Sequence, residues 1–304
     1  MSAAATTVRV RVPATSANLG PAFDCAGLAL TRHDELEFTL LERGSLEISV
    51  HGEGAGSLAT DDTHLVVQAF RAACADLGWD APGLRIEARN DIPQGRGMGS
   101  SAAAVVAGAL GAWALCPDVA QIDRDAVLRL TTGIEGHPDN VAACLLGGLA
   151  LSWQGAGGAA ATGLGVHPDV QPVVLVPGAT LSTERARGLL PDVVPHSDAA
   201  INAGRSALLV HALTGDPGLL LEATEDRLHQ EQRRPAMPES LALVDRLRAA
   251  GLAAVVSGAG PSVLVLAQRS ASPSAVDAVR GVTPQHWSVL PLEIDSTGAR
   301  VGAA

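Results

Sequence analysis

The sequence predicts an α+β protein built from two subdomains. Three observations lead there. A length of 304 residues allows two compact domains or one large α/β unit. Strand-like and helix-like stretches follow one another without the regular βαβ alternation of a doubly wound parallel sheet. Residues 155–165 are rich in Gly and Ala with little pattern, which marks a boundary. The expected domains are 1–160 and 161–304.

The elements follow in order. Val8 to Val12 alternates Val with Arg, the period of a half-buried strand. His33–Leu41 and Ser45–His51 read as strands around a turn at Arg43-Gly44. Asp61-Asp62 precedes an apolar helical stretch from His64 to about Leu77, closed by Gly78. Leu84–Arg89 alternates again. A glycine-rich loop, Ile92 to Ser101, then feeds an apolar helix from Ala102 to Cys116. A helix over Asp123–Thr132 leads to Glu135-Gly136-His137-Pro138-Asp139-Asn140, and a short helix ends at Gly147-Gly148. The second half offers a strand at Val173–Val176 and helices at Ala199–Leu213, Leu219–Leu228 and Pro238–Ala250. Strands at Ala253–Ser257 and Ser262–Leu266 flank the turn Gly258-Ala259-Gly260-Pro261.

Composition narrows the class. Hydrophobic residues make up 47% of the chain and charged ones 17%, which suits a real core. A net charge of −11 argues against a nucleic-acid or anionic-membrane surface. All 21 basic residues are arginine, so any mechanism that needs a lysine is excluded. Cys25, Cys74, Cys116 and Cys144 lack C-x-x-C spacing and read as buried free thiols in a reducing compartment. No apolar leader is visible near the first residues, and the Ala102–Cys116 run is short for a bilayer, so a cytoplasmic protein is expected.

The glycine loop carries the first chemical signal. Gly95, Gly97 and Gly99 leave bare backbone on a segment that opens a helix, so successive N–H groups can converge on a phosphate. Ser100 and Ser101 add hydroxyls, one suited to cap the helix and one to ligate Mg²⁺. There is no Lys for a Walker A loop, no third Gly for a Rossmann turn and no G-x-S-x-G elbow. A flexible turn with an ordinary serine cap is the alternative.

Other stretches stay open on chemistry alone. Glu135 to Asn140 gathers two carboxylates, an imidazole and an amide, and also reads as a helix start capped by Asp139 or Asn140. Ala14 to Asp24 is polar and turn-rich, either functional or a connecting loop. Thr183 and Arg187 lie one helical turn apart, and Arg233-Arg234 precedes Pro235. Such arginines clamp a carboxylate or form surface ion pairs.

Taken together these segments resemble the GHMP small-molecule kinases over about Val8 to Leu266. Pro13–Asp24, Pro93–Ala103 and Ser257–Ser262 match in order. Ser16 to Asp24 and Glu135 to Asn140 are similar to the branch that phosphorylates homoserine. So are Thr183 to Arg187 before Leu190-Pro191, and Leu228-His229-Gln230 before Arg233. The resemblance implies an N-terminal domain like the second domain of ribosomal protein S5 and a ferredoxin-like C-terminal domain. It implies phosphoryl transfer from ATP, with Mg²⁺, to the hydroxyl of L-homoserine, a step of threonine synthesis, in an enzyme of the cytoplasm that forms a homodimer.

On that resemblance Pro93, Gln94, Gly95, Arg96, Gly97, Met98, Gly99, Ser100, Ser101, Ala102 and Ala103 wrap the ATP phosphates, and Ser101 (or Ser100) with Glu135 ligates Mg²⁺. Asn18, Asp24, His137, Thr183, Arg187, Arg233 and Gly260 surround homoserine, with Asp24 facing its ammonium and the arginines its carboxylate. Catalysis falls to Asn140, Glu135 and Ser101. Asn140 stands where mevalonate kinase places an aspartate. An amide takes no proton at neutral pH, so alignment and charge stabilisation are expected to carry the reaction, with Asp139 the rival base. His64 departs from the asparagine common near the adenine in relatives, and Ala22 from a glycine.

Overall fold

The computed structural model describes residues 6–271 and 274–303. The first sheet comprises β1 (Thr7–Ala17), β2 (Ala26–Leu41), β3 (Leu46–Gly52), β4 (Gly83–Asn90), β5 (Leu149–Gly155) and β6 (Gly158–Leu164). In β1, Val8, Val10 and Val12 face the core, while Arg9 and Arg11 pair outside with Glu37 and Glu35 of β2 at 2.9 and 3.4 Å. This is the alternation of a one-sided sheet. β2 runs further back than the His33 start read from sequence. It does not pair with β3 across the Arg43-Gly44 turn, because β4 lies between them and is parallel to β3.

Four helices cover this sheet: α1 (Leu65–Asp76), α2 (Ser100–Leu115), α3 (Arg124–Glu135) and α4 (Asp139–Leu146). The His64 ring caps α1 by accepting from Val66 N, and Val66, Val67, Phe70 and Ala73 form its buried stripe. Each large apolar side chain so buried contributes roughly 1.5–3 kcal/mol. α2 is apolar nearly all round and is buried accordingly, packed between α1 and β1. Its burial fixes where the glycine loop ahead of it points.

The second sheet holds β7 (Val170–Val176), β8 (Ala253–Val256), β9 (Val263–Gln268) and β10 (Ser288–Pro291) in the order β10-β7-β9-β8, all antiparallel. Helices α5 (Thr183–Arg187), α6 (His196–Thr214), α7 (Leu220–Ala223) and α8 (Pro238–Ala249) lie between β7 and β8, and α9 (Ala275–Val282) lies between β9 and β10. That is a ferredoxin-like split βαβ with extra helices. The stretch read as a helix to Leu228 is helical only to Ala223.

The α+β class of the sequence reading holds. The boundary expected at residue 160 falls inside β6, whose pairing with β5 keeps it in the first sheet. The chain also returns: β11 (Arg300–Ala303) pairs with β1, and Asp295 meets His33 at 2.6 Å. The Gly/Ala-rich stretch is thus a hairpin, since small residues leave no periodic signal to read. Cys74, Cys116 and Cys144 are buried free thiols, whereas Cys25 is exposed. Among the described residues no helix is long and apolar enough to cross a membrane.

Candidate active site

One cavity of about 390 Å³ runs between the two sheets' loops, with the glycine loop across its middle. Gly95, Gly97 and Gly99 all take left-handed φ, at 63°, 71° and 68°. A Cβ on Gly97 would overlap the Ser257 carbonyl oxygen and lie 3.0 Å from Gly260 N and O. A Cβ on Gly99 would overlap Thr15 Oγ1. The loop is therefore pressed between β1 and the second glycine turn, where only bare backbone fits. Gly99 caps α2 without any side-chain hydrogen bond, and Gly99, Ser100, Ser101 and Ala102 line the cavity. Main-chain N–H groups at a helix start are left for an anion.

Not every residue of the loop faces the guest. Arg96 lines the cavity but spends its donors on Pro177 O and Gly178 O at 3.1 and 3.2 Å, tying the loop to the second domain. The Gln94 amide donates to Glu53 O at 3.4 Å, and Met98 is buried. Ala103, expected among the phosphate-wrapping residues, stands outside the cavity wall: it is wholly buried and its N–H is already bonded to Gly99 O at 2.9 Å.

The far end is built from side chains. Asn18, Leu19 and Asp24 hold left-handed φ of 69°, 49° and 57°, a conformation non-glycine residues adopt only when their surroundings enforce it. Asn18 Nδ2 donates to Gly258 O at 2.9 Å and Asn18 Oδ1 accepts from Asp24 N at 3.0 Å, which turns Asp24 toward the second domain. There Arg187 grips the Asp24 carboxylate through both terminal nitrogens, one bond at 3.0 Å. Asp24 does not itself line the cavity, whereas Arg187, its partner, does. Arg187 and Arg233 both sit over the Phe23 ring, at 5.3 and 5.4 Å. Arg233 is 1% exposed, and its Nε has no partner. Burial, then the neighbouring Arg187, lowers its pKa to about 10. Two guanidiniums over one ring, Arg233 buried and Arg187 half-buried, call for an anion. Thr183, at the start of α5, and Gly260 complete this wall.

The Glu135–Asn140 segment links α3 to α4. The expected helix cap is not formed: Asp139 and Asn140 lie inside α4, whose cap position is Pro138. Ser101 Oγ contacts Glu135 Oε1 directly. His137 Nδ1 lies 3.3 Å from Asp139 Oδ1, an ion-pair distance without hydrogen-bond alignment. That carboxylate raises the His137 pKa against the opposing effect of burial. Asp139 is 1% exposed and accepts from Asn140 N at 2.7 Å.

At the other extreme the cavity becomes an apolar slot between Leu36, Leu65, Val66 and Ala88. His64 supplies a polar atom here. Its Nδ1 accepts from Val66 N at 3.2 Å, so the proton sits on Nε2, which is buried and unpartnered. Burial also lowers its pKa, which keeps the ring neutral. Thr15, Phe23 and Asp139 are site residues that sequence reading did not single out as ligands. The first two were marked only by their position inside Pro13–Asp24, and Asp139 only as a rival base or helix cap.

Comparison with known proteins gives this architecture a class. The model of the GHMP kinases N terminal domain matches residues 64–148, and that of the C-terminal domain residues 207–284. The chain belongs to the GHMP kinases. It is 53% identical over 298 residues to the homoserine kinase of Streptomyces avermitilis, covering 98% of this chain and 96% of that one. The homoserine kinase of Streptomyces coelicolor is likewise 53% identical, with 98% and 95% covered. Within the GHMP kinases the chain therefore falls in the homoserine kinase family. The crystal structure of homoserine kinase from Cytophaga hutchinsonii superposes with a TM-score of 0.86 at 25% identity, covering 99% of both chains. L. major mevalonate kinase, solved in complex with R-mevalonate, shares the fold at 17% identity and a TM-score of 0.64, with 96% of each chain covered.

Proposed function

We propose that the chain transfers the terminal phosphoryl group of ATP to the hydroxyl of L-homoserine, yielding ADP and O-phospho-L-homoserine for threonine synthesis. One observation carries the reading. A single cavity offers bare main chain at its middle and, within the same walls, two guanidiniums at one end, one of them paired with the Asp24 carboxylate. A triphosphate suits the first and a zwitterionic amino acid the second. The homoserine ammonium and carboxylate can exchange with the Asp24–Arg187 pair charge for charge, and the carboxylate gives the Arg233 guanidinium, otherwise bonded only to His229 Nδ1 and Gly258 O, a counter-charge. Mevalonate has no ammonium to offer Asp24. The apolar slot takes the base, with His64 Nε2–H donating to a ring acceptor.

Mg²⁺ fits the residues present. Ser101 and Glu135 bring two hard oxygen donors into contact beside the phosphate loop. Among the described residues no cluster of three or more His, Cys, Asp or Glu is preformed for a metal, as befits an ion that takes most of its ligands from phosphate and water. When bound it neutralises charge on the phosphates. The chain's own residues do the rest. The loop fixes the γ-phosphoryl group, and Asp24, Arg187, Arg233 and His137 fix the acceptor, so the hydroxyl oxygen lies in line for attack. The oxygen–phosphorus bond forms as the bond to the β-phosphate oxygen breaks. Asn140 cannot take the proton, which leaves late to phosphate or solvent.

We also propose a cytoplasmic location and a homodimer, carried by the family likeness and checked by fractionation and light scattering. The main test is a coupled ADP-release assay over a panel of alcohols. L-Homoserine should be turned over best by a wide margin. Preference for mevalonate or a sugar, or MgATP binding without turnover, would defeat the reading.

A further inference from the structure

The Asn140 amide is held from both ends. Thr15 Oγ1 donates to Asn140 Oδ1 at 2.8 Å, and Asn140 Nδ2 donates to Asp139 Oδ1 at 3.2 Å. Asp139 Oδ1 also accepts from Asn140 N at 2.7 Å. Thr15 is fully buried and Asp139 1% exposed, so solvent does not compete for these bonds. The two partners are not equivalent. A hydroxyl can donate or accept, but a carboxylate only accepts. Asp139 therefore dictates which end of the amide is NH₂, and Thr15 takes the complementary role. One Nδ2–H is used by Asp139, and the second is left for the cavity that Asn140 lines.

Thr15 has a second attachment. Its N–H donates to Met98 O at 3.0 Å, and its Oγ1 stands against the Cα of Gly99 so closely that no Cβ fits there. The same residue thus registers the phosphate loop against the amide on the acceptor side.

We propose that Thr15 and Asp139 are positioning residues that fix the Asn140 amide with its NH₂ as a donor toward the acceptor oxygen. This rests on the kinase reading above. A fixed donor at that point holds the hydroxyl oxygen as an acceptor, so the hydroxyl's own proton is turned away from Asn140. Asp139 is then part of a clamp and not a base.

The test is a double-mutant cycle on the alcohol that the substrate panel selects. Thr15→Val keeps shape and removes the donor. It should lower kcat by about tenfold, with both KM values within about twofold, as expected for loss of one aligned hydrogen bond. Thr15→Ser should restore most of the rate. In an Asn140→Ala background Thr15→Val should have little further effect. Asp139→Ala should also cost about tenfold and be non-additive with Thr15→Val, whereas Asp139→Asn, which keeps an acceptor oxygen, should retain most of the rate. Full kcat in Thr15→Val, or effects that add in the Asn140→Ala background, would overturn the clamp. So would a fall of about 10²–10⁴-fold in Asp139→Asn with the Thr15 effect undiminished, which is the mark of a general base. Absence of turnover with any alcohol in the wild type would remove the kinase reading itself, and this proposal with it.

Discussion

At Gly95–Ser101, across the middle of the cavity, the wall is main chain from one short stretch, and at the far end it is charged side chains brought together from across the chain. Asp24 and Arg187 are separated by 163 residues, and Arg233 lies further on in the second domain. The first grip depends on space and on the left-handed φ that glycine tolerates. The second depends on charge, burial and the relative placement of two sheets. Substitutions should therefore separate the ends cleanly: the loop should answer to added volume, the far wall to lost charge.

The largest effect is expected at Gly97. Alanine there must displace the Ser257 carbonyl and also sit at φ 71°. Gly97→Ala should lower kcat/KM for ATP by more than about 100-fold, since misplacing a positioning element by an ångström costs that much. An unchanged KM for ATP, in the ADP-release assay at saturating homoserine, would show that the nucleotide is not gripped here. Next comes Arg233. Replacing its buried guanidinium by Met keeps volume and removes charge. KM for homoserine should rise about 10- to 100-fold, the range for charged hydrogen bonds, while KM for ATP stays within about twofold. Equal rises in both would mean that the two ends are not separate. His64→Ser keeps a cap oxygen for Val66 N but removes the imidazole Nε2–H and replaces it with a shorter side chain. It should raise KM for ATP about fivefold and leave homoserine untouched.

The same contrast explains what the sequence disclosed. The glycine loop was legible because spacing, missing side chains and the following helix all lie within about a dozen residues, and each is a local property. Of the residues expected to wrap the phosphates, Ala103 alone stands off the cavity wall, since contiguity with the loop says nothing about the direction a helical residue faces. The far wall was reachable only through family likeness. Nothing in an isolated arginine distinguishes Arg233, 1% exposed, from Arg234, which pairs on the surface with Glu231. Tertiary placement made that difference. The β5–β6 hairpin was missed because Gly and Ala give no alternation, and the ferredoxin-like sheet was reachable only through family likeness because its order is set by long-range pairing. Thr15 was hidden in a turn-rich stretch, its partner 125 residues away.

A carboxylate near the base slot gives the smallest effect on turnover and a test of a different kind. Asp34 Oδ1 accepts from Asp91 N and Ile92 N at 2.7 and 2.9 Å, anchoring the strand end that launches the glycine loop. Burial nevertheless raises its pKa from the ordinary 3.8 to about 6, outweighing those two donors. The folded chain thus binds this proton more tightly than the unfolded chain does. Its contribution to stability is fully present below about pH 4 and is lost as pH climbs through about 6. A two-unit difference corresponds to at most about 3 kcal/mol. Asp34→Asn keeps an oxygen for both backbone donors and cannot ionise. Urea denaturation between pH 4 and 8 should show the wild-type midpoint falling through pH 6 and the variant's falling less, with turnover at pH 7 changed by less than about twofold. If the two curves run parallel, Asp34 is solvated and the glycine loop is not anchored through a buried carboxylate. If turnover collapses instead, the carboxylate belongs to the nucleotide end as a ligand, and the division between a main-chain grip and a side-chain grip has been drawn in the wrong place.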